Sequence, residues 1–271
     1  MASALSFYFF DFDDNIMFLD TQIYIHNTET GETKGVSTGQ FADIQPLLGK
    51  DGEYKKYEIF SKTINGIRGS YNNFRDILEN ELKPGQKQYF VKDVEEAIAS
   101  DKKWQAPSWD LFKYACEKHR PVSIITARGH KPETLKAGVR VLVENGKIRR
   151  EPNYHTIFPV GNDGVRRGEL KDPQLSLTTP ELKKRAIRKS VDKAMEEYGK
   201  EPEHCFGMSD DDPQNVSLIV RAMRDCKDTY PNQRFFVIST HAGEEVKLEV
   251  FPPDYPVTRR GRRWRTDEKI R

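Results

Sequence analysis

Three carboxylates, Asp11, Asp13 and Asp14, follow directly on the aromatic run Phe7-Tyr-Phe-Phe10. Like charges held this close repel one another, and such a cluster persists where a cation or a proton relieves the repulsion. The segment therefore has the makings of a site for a hard, oxygen-seeking cation with an acid to spare. Two more polar groups occupy the same kind of place. The run Pro121-Val-Ser-Ile-Ile ends in the hydroxyl of Thr126, and His204-Cys-Phe-Gly-Met208 ends in Ser209 and the carboxylates Asp210, Asp211 and Asp212. Each has a plain reading by itself: a polar turn, a hydroxyl at a strand end, and a helix cap favoured by the positive end of the helix that Pro213 opens. Their recurrence at three strand ends favours one joint site.

For these groups to meet, the runs that carry them must lie side by side. Short unbroken apolar runs are the mark of parallel strands buried on both faces. Between them the pattern predicts helices over 107–119, over 133–144 with a stop at Asn145-Gly146, from Pro180 to Tyr198 with Thr179 as N-cap and Glu181 in the first turn, and from Pro213 to about Cys226. Further strands are predicted at Thr156–Val160 and Arg234–Ser239. Alternation of strand and helix implies an α/β fold, a doubly wound, mostly parallel sheet with helices on both faces. Its carboxyl edge is where such sheets gather their ligands. Residues 22–37 have the pattern of a β-hairpin that could act as a lid, and 41–105 are polar, with scattered apolar residues and no clear element. The expected division is a core from 1–20 and 107–250, a hairpin flap and insert over 21–106, and a basic tail over 251–271.

The chain resembles the haloacid dehalogenase superfamily of phosphohydrolases. The four motifs of that family are an Asp-x-Asp after the first strand, a Ser or Thr after the second, a Lys, and a final acidic pair. They fall here, in order, on Asp11-Phe-Asp13, Thr126, Lys183 and Asp210-Asp211. The likeness covers about 5–20 and 107–240, and implies that the insert is a cap supplying specificity. It also implies Asp11 as the nucleophile that forms an aspartyl phosphate, and Asp13 as general acid and then base, with its backbone carbonyl on the metal. Thr126 and Lys183 would bind the phosphate, and the second aspartate favours a phosphatase over a dehalogenase or a P-type ATPase. Mg²⁺ prefers a few carboxylates with water and phosphate oxygens, which suits Asp11 and Asp210, with Asp211 as a direct or water-mediated ligand or as a support behind the ligands. Lys184 is the neighbouring alternative to Lys183, and Thr179-Pro-Glu-Leu-Lys183 at a helix start fits the family pattern at Lys183. Asp14-Asn15 stands where the family frequently has Gly-Thr, and Ser209 where it frequently has Gly.

The 271 residues suffice for one large α/β core with an insert, and 44 basic against 42 acidic side chains leave a net charge of +2, so no global field points to nucleic acid or membrane. Three cysteines without metal-type spacing argue against a disulfide framework and for a reducing cytoplasm. No run approaches the roughly 20 apolar residues of a membrane span, and no export signal is evident. The expected partner is a small phosphorylated substrate. Basic residues concentrate in 259–271, which reads as a frayed tail or, with Trp264, as a contact for nucleic acid and hence for a nucleic-acid end phosphatase. A rival of another class is a binding module that keeps the metal site without turnover. Arg128 and His130, just past Thr126, are candidates for touching phosphate or substrate, or else for an exposed loop. Gly161-Asn-Asp-Gly164 reads as a turn, and His204, Cys205, Trp104 and Trp109 as packing residues.

Overall fold

The computed structural model describes residues 3–50, 52–60, 69–240 and 246–251; the basic stretch 259–271 and Trp264 lie outside them. In chain order the elements are β1 (Ser6–Phe10), β2 (Ile23–Asn27), β3 (Thr33–Val36), α1 (Thr38–Ile44), β4 (Tyr57–Glu58), α2 (Tyr89–Ala99), α3 (Trp109–Glu117), β5 (Pro121–Thr126), α4 (Pro132–Glu144), β6 (Asn153–Pro159), α5 (Asp163–Gly168), α6 (Thr179–Tyr198), β7 (Cys205–Asp210), α7 (Pro213–Thr229), β8 (Arg234–Ser239) and β9 (Val246–Val250). Two compact units result, one drawn from Met1–Phe18, Gln105–Arg128 and Leu142–Arg271, the other from Leu19–Trp104 and Gly129–Val141.

The first unit is an α/β fold of Rossmann type built on a six-stranded sheet of order β6-β5-β1-β7-β8-β9. The first five strands are parallel, and β9 runs antiparallel to β8. Every residue of β1, β5 and β7 is buried, as expected for parallel strands covered on both faces. Phe7 of β1 stacks on Phe206 of β7 at 4.7 Å, and Phe206 on Phe235 of β8 at 5.3 Å. This aromatic floor joins Leu182, Ile187 and Val191 of α6 and Met223 of α7 in one core. On the opposite face Phe10 meets Phe112 of α3 edge-on at 5.5 Å. The chain leaves β1 towards β5 and β6, then returns to build β7 and β8 on the other side. The strand order thus reverses between β1 and β7, the place where open α/β sheets open a crevice at their carboxyl ends.

Several predicted boundaries shift. The N-cap of α6 is Thr178, not Thr179: its extended backbone precedes the helix, and its N–H and hydroxyl donate to Glu181 at 2.8 and 2.7 Å. Two consecutive threonines before Pro180 made both positions plausible, and the reach of Glu181 decides between them. β6 begins at Asn153, earlier than its apolar residues suggest, because His155 turns inward to meet Phe7 edge-on at 5.3 Å. β7 runs from Cys205 on past Met208, so that Ser209 and Asp210 pair within it. The strand β9 was not foreseen, although Val246, Leu248 and Val250 alternate with charged residues at strand spacing. The Gly161–Gly164 turn leads straight into the short helix α5, capped by Asn162.

In the second unit β2 and β3 form the expected hairpin, with Ile23 opposite Val36 and His26 opposite Thr33, and β4 adds a third strand beside β2. Ile23, Ile25, Val36, Phe41, Ile44 and Phe74 form its core. The interval 41–105 is less formless than its composition suggests. It contains α2, whose Phe90 and Val94 are buried one helical turn apart. A Cβ on Gly138 of α4 would come within 2.3 Å of the Phe90 ring, so only glycine lets that ring lie against the helix. No helix among the described residues is long and apolar enough to cross a membrane.

Candidate active site

Strand pairing brings the two acidic motifs together. Phe10 of β1 lies opposite Ser209 of β7, and the Asp11 N–H donates to the Ser209 carbonyl at 3.1 Å. Asp11 therefore emerges beside Asp210, the last residue of β7. One carboxylate oxygen from each of Asp11, Asp210 and Asp211 can be chosen so that all lie within 4.8 Å of one another, a spacing that a single cation can span. The Asp13 carboxylate is not part of this triple.

Lys183, in the first turns of α6, enters the cluster while Lys184 does not. The Lys183 ammonium is 2.7 Å from Asp210 Oδ2 and 3.3 Å from Asp11 Oδ1, and only 2% of the residue is exposed. Lys184 pairs instead with Asp225 at 2.6 Å, both about half exposed. Asp210 Oδ1 accepts from the Asp212 N–H at 3.1 Å and from Asn215 Nδ2 at 3.2 Å, so both of its oxygens are committed. Asp11 Oδ1 is buried and accepts no hydrogen bond from the described residues, leaving the Lys183 ion pair as its compensation.

The electrostatics follow from this crowding. Burial pushes the Asp11 carboxyl well above the ordinary carboxylate range; Lys183 pulls it back, while Asp210, Asp211 and Asp13 push it further up. Asp211 is raised to about 7, first by burial and then by Asp210 and Asp14. Burial alone would lower the Lys183 ammonium, but Asp11 and Asp210 more than offset this and raise it. A divalent cation would relieve the carboxylate repulsion at once, so the donor set fits a hard metal such as Mg²⁺.

Thr126 closes β5 and is buried, and its Oγ1 accepts the Arg128 N–H at 3.3 Å. That contact uses a lone pair and leaves the hydroxyl proton to donate elsewhere. Arg128 is fully buried and is no exposed loop residue. Its Nε and Nη2 donate to Asp13 Oδ2 and Oδ1 at 2.8 and 2.6 Å, a two-pronged ion pair. His130 is also buried, but it belongs to the second unit, where its ring lies 5.7 Å from that of Phe90. The ring of His204 accepts from the Leu5 N–H through Nδ1, and Trp109 packs on Phe112, both serving the core.

Two features of the Asp14-Asn15 pair escape sequence reasoning. Asp14 has a φ of 55°, a left-handed conformation that glycine adopts without strain and that Asp and Asn tolerate best among other residues. Asn15, fully buried, acts as a structural clamp. Its Nδ2 donates to the carbonyls of Asp11 and Ser209 and to Ser209 Oγ at 3.1, 3.2 and 2.9 Å, while its Oδ1 accepts from Ser108 Oγ and Thr240 Oγ1 at 2.8 and 2.9 Å. One amide thus ties the ends of β1, β7 and β8 to the start of α3. Its side-chain partners lie 93, 194 and 225 positions away, so no local pattern could reveal them.

Comparison of the chain with protein-family models, with curated proteins and with solved structures gave no match.

Proposed function

We propose that the chain is a Mg²⁺-dependent phosphohydrolase of haloacid dehalogenase type, cleaving a small phosphomonoester through an aspartyl phosphate on Asp11. The observation that carries this reading is the buried Asp11 carboxylate, set beside Lys183 and two further aspartates at the point where strand order reverses. Asp11, Asp210 and Asp211, with the backbone carbonyl of Asp13, would hold the ion. When bound, it offsets the negative charge shared by the carboxylates and the phosphate and so allows an anion to approach an anion.

The residues then divide the work. An Asp11 oxygen attacks phosphorus as the bond from phosphorus to the leaving oxygen breaks, and Asp13 gives its proton to that oxygen. In the second half Asp13, now a carboxylate, takes a proton from water as the water oxygen bonds to phosphorus and the bond from phosphorus to the Asp11 oxygen breaks, which returns Asp11 and releases phosphate. Lys183 fixes the Asp11 carboxylate and balances charge on the phosphate, while the Thr126 hydroxyl donates to a phosphate oxygen. The larger part of the second unit, Leu19–Trp104, is inserted between β1 and α3 and has the place in the chain of a specificity cap. The three buried free cysteines accord with a reducing compartment such as the cytoplasm.

The test is phosphate release from a panel of sugar phosphates, nucleotides and phosphorylated oligonucleotides, with Mg²⁺ or with chelator. We expect Mg²⁺-dependent release by the wild type and none above background for Asp11→Asn at unchanged fold. Substantial turnover by that variant would refute the covalent route, and release from oligonucleotide ends alone would move the substrate to nucleic acid.

A further inference from the structure

The residue that orients Asp13 is a buried arginine. Asp13 ends no strand, and its backbone is held by an isolated bridge to Met17; what grips its carboxylate is the fork of Arg128, with one guanidinium nitrogen on each oxygen. The arginine side chain is wholly buried and that of Asp13 is 16% exposed, so the pair opens to the site only on the Asp13 side. A planar fork fixes both the direction and the plane of a carboxylate, which a lysine cannot do.

The guanidinium is itself anchored through its backbone. The Arg128 N–H donates to Thr126 Oγ1 at 3.3 Å, and the Arg128 carbonyl accepts from the Gly161 N–H at 3.1 Å. The same two segments are linked again one residue earlier, where the Val160 N–H donates to the Thr126 carbonyl at 2.8 Å. Gly161 permits this approach, because a Cβ there would fall 2.4 Å from the Ala127 carbonyl oxygen. The end of β5 therefore carries the Thr126 hydroxyl and, two residues on, the guanidinium that grips Asp13.

We propose that Arg128 is a positioning residue for Asp13, acting on proton delivery to the leaving oxygen and not on the binding of substrate phosphate. This rests on the reading of Asp13 as general acid. The proposal predicts a dependence on the leaving group. An alkyl oxygen must be protonated as it leaves, whereas an activated aryl oxygen departs as a stabilised anion and needs little help.

The experiment compares kcat and KM of the full chain with Mg²⁺ on an alkyl phosphomonoester and on p-nitrophenyl phosphate, for wild type, Asp13→Asn, Arg128→Lys, Arg128→Gln and the Asp13→Asn/Arg128→Gln double variant. Arg128→Lys keeps the buried charge and Arg128→Gln with Asp13→Asn keeps a neutral hydrogen-bonded pair, so at least one arm remains folded. Asp13→Asn should lower kcat on the alkyl ester by about 10²–10⁴-fold. Both Arg128 variants should lose on the order of 10²-fold there, as expected for a misdirected catalytic group. Their loss on the aryl ester should be far smaller, with KM within about twofold, and the double variant should be no slower than Asp13→Asn. A raised KM on both esters with multiplying losses would make Arg128 a phosphate ligand and overturn the proposal. A leaving-group effect in Asp13→Asn with wild-type behaviour in the Arg128 variants would overturn it alone. An unaffected Asp13→Asn, or no turnover by the wild type on any phosphomonoester, would remove it together with the reading of the site.

Discussion

Lys183 and Lys184 are consecutive on α6, the same side chain turned by about 100° around one helix. One is sealed against Asp11 and Asp210; the other shares the outer face with Lys189, Arg188 and Lys193, paired to Glu169, Asp192 and Glu197 and largely in water. The outer face has more ion pairs, yet exposed pairs are each worth about 0–1 kcal/mol because water screens them and ordering two long side chains costs entropy. The inner cluster forgoes hydration, and in exchange Asp11 Oδ1 has the Lys183 ion pair but no hydrogen bond from the described residues. Burial, and not the number of charges, separates a solvated, screened surface from a cluster whose electrostatics can act on a ligand.

The largest effects should come from breaking the inner side. Lys183→Ala leaves Asp210, fully buried, without its cation, and removing one partner of a buried pair costs about 3–5 kcal/mol. On the proposed mechanism, in which Lys183 stabilises the transferring phosphoryl group, turnover should fall by on the order of 10²–10³-fold or more. Lys184→Ala should shift stability by no more than about 0.5 kcal/mol and leave turnover near wild type. Urea unfolding and phosphate release of the two variants give the answer, and similar losses in both would erase the distinction between the faces.

Next in size is Asn15→Ala, expected to cost about 3 kcal/mol, because Ser108, Ser209 and Thr240 lose their shared partner in a buried setting. Turnover should fall with it, since the clamp sets where Asp11 leaves β1. An unchanged unfolding midpoint would show that the strand ends hold their places without it. Gly161→Ala should cost about 1–3 kcal/mol by forcing its Cβ on the Ala127 carbonyl. The displaced loop should lower turnover by more than that loss of stability explains; normal kcat at reduced stability would mean that Thr126 and Arg128 are held by other contacts.

How much of this was legible in the chain depends on range. Strands β1, β5, β7 and β8 could be read because a strand buried on both faces is an unbroken apolar run, and the polar groups that end three of them mark the sheet edge. Asp11, Thr126, Lys183 and Asp210 followed from that edge together with family resemblance. In the second unit the hairpin was legible but the elements of 41–105 were hidden, because they are short and their core is small, as in α2, where Phe90 and Val94 are the buried residues. The Asp13–Arg128 fork joins residues 115 apart, and the Asn15 clamp spans still more chain. Neither has a local period, since both are products of strand order, and strand order is a property of the whole sheet.

The smallest effect, and the one that contrasts the faces most directly, is on pH. Asp11 and Asp211 in the cluster have raised pKa values, whereas Glu169 and Glu181 on the outer face have lowered ones, Glu169 through its bond to Lys189 and Glu181 through its bonds to Thr178. Asp211, ordinarily near 3.8, is raised to about 7. A raised carboxyl favours the fold when protonated, so its contribution is complete below the unfolded value and is lost as pH climbs through the folded one. For Asp211 that window runs from about 4 to about 7. Glu169 and Glu181 work in reverse, their contribution present above the unfolded value and lost as pH falls through the folded one. Thermal midpoints measured in chelator from pH 4 to 8 should therefore decline across the upper part of this range, and Asp211→Asn should flatten that decline without changing the acid limb. Protons and a cation compete for the same oxygens, so the rise in midpoint on adding Mg²⁺ should be small near pH 5 and grow through pH 7. A Mg²⁺ effect of equal size at every pH, or one unaltered in Asp211→Asn, would place the ion away from this cluster.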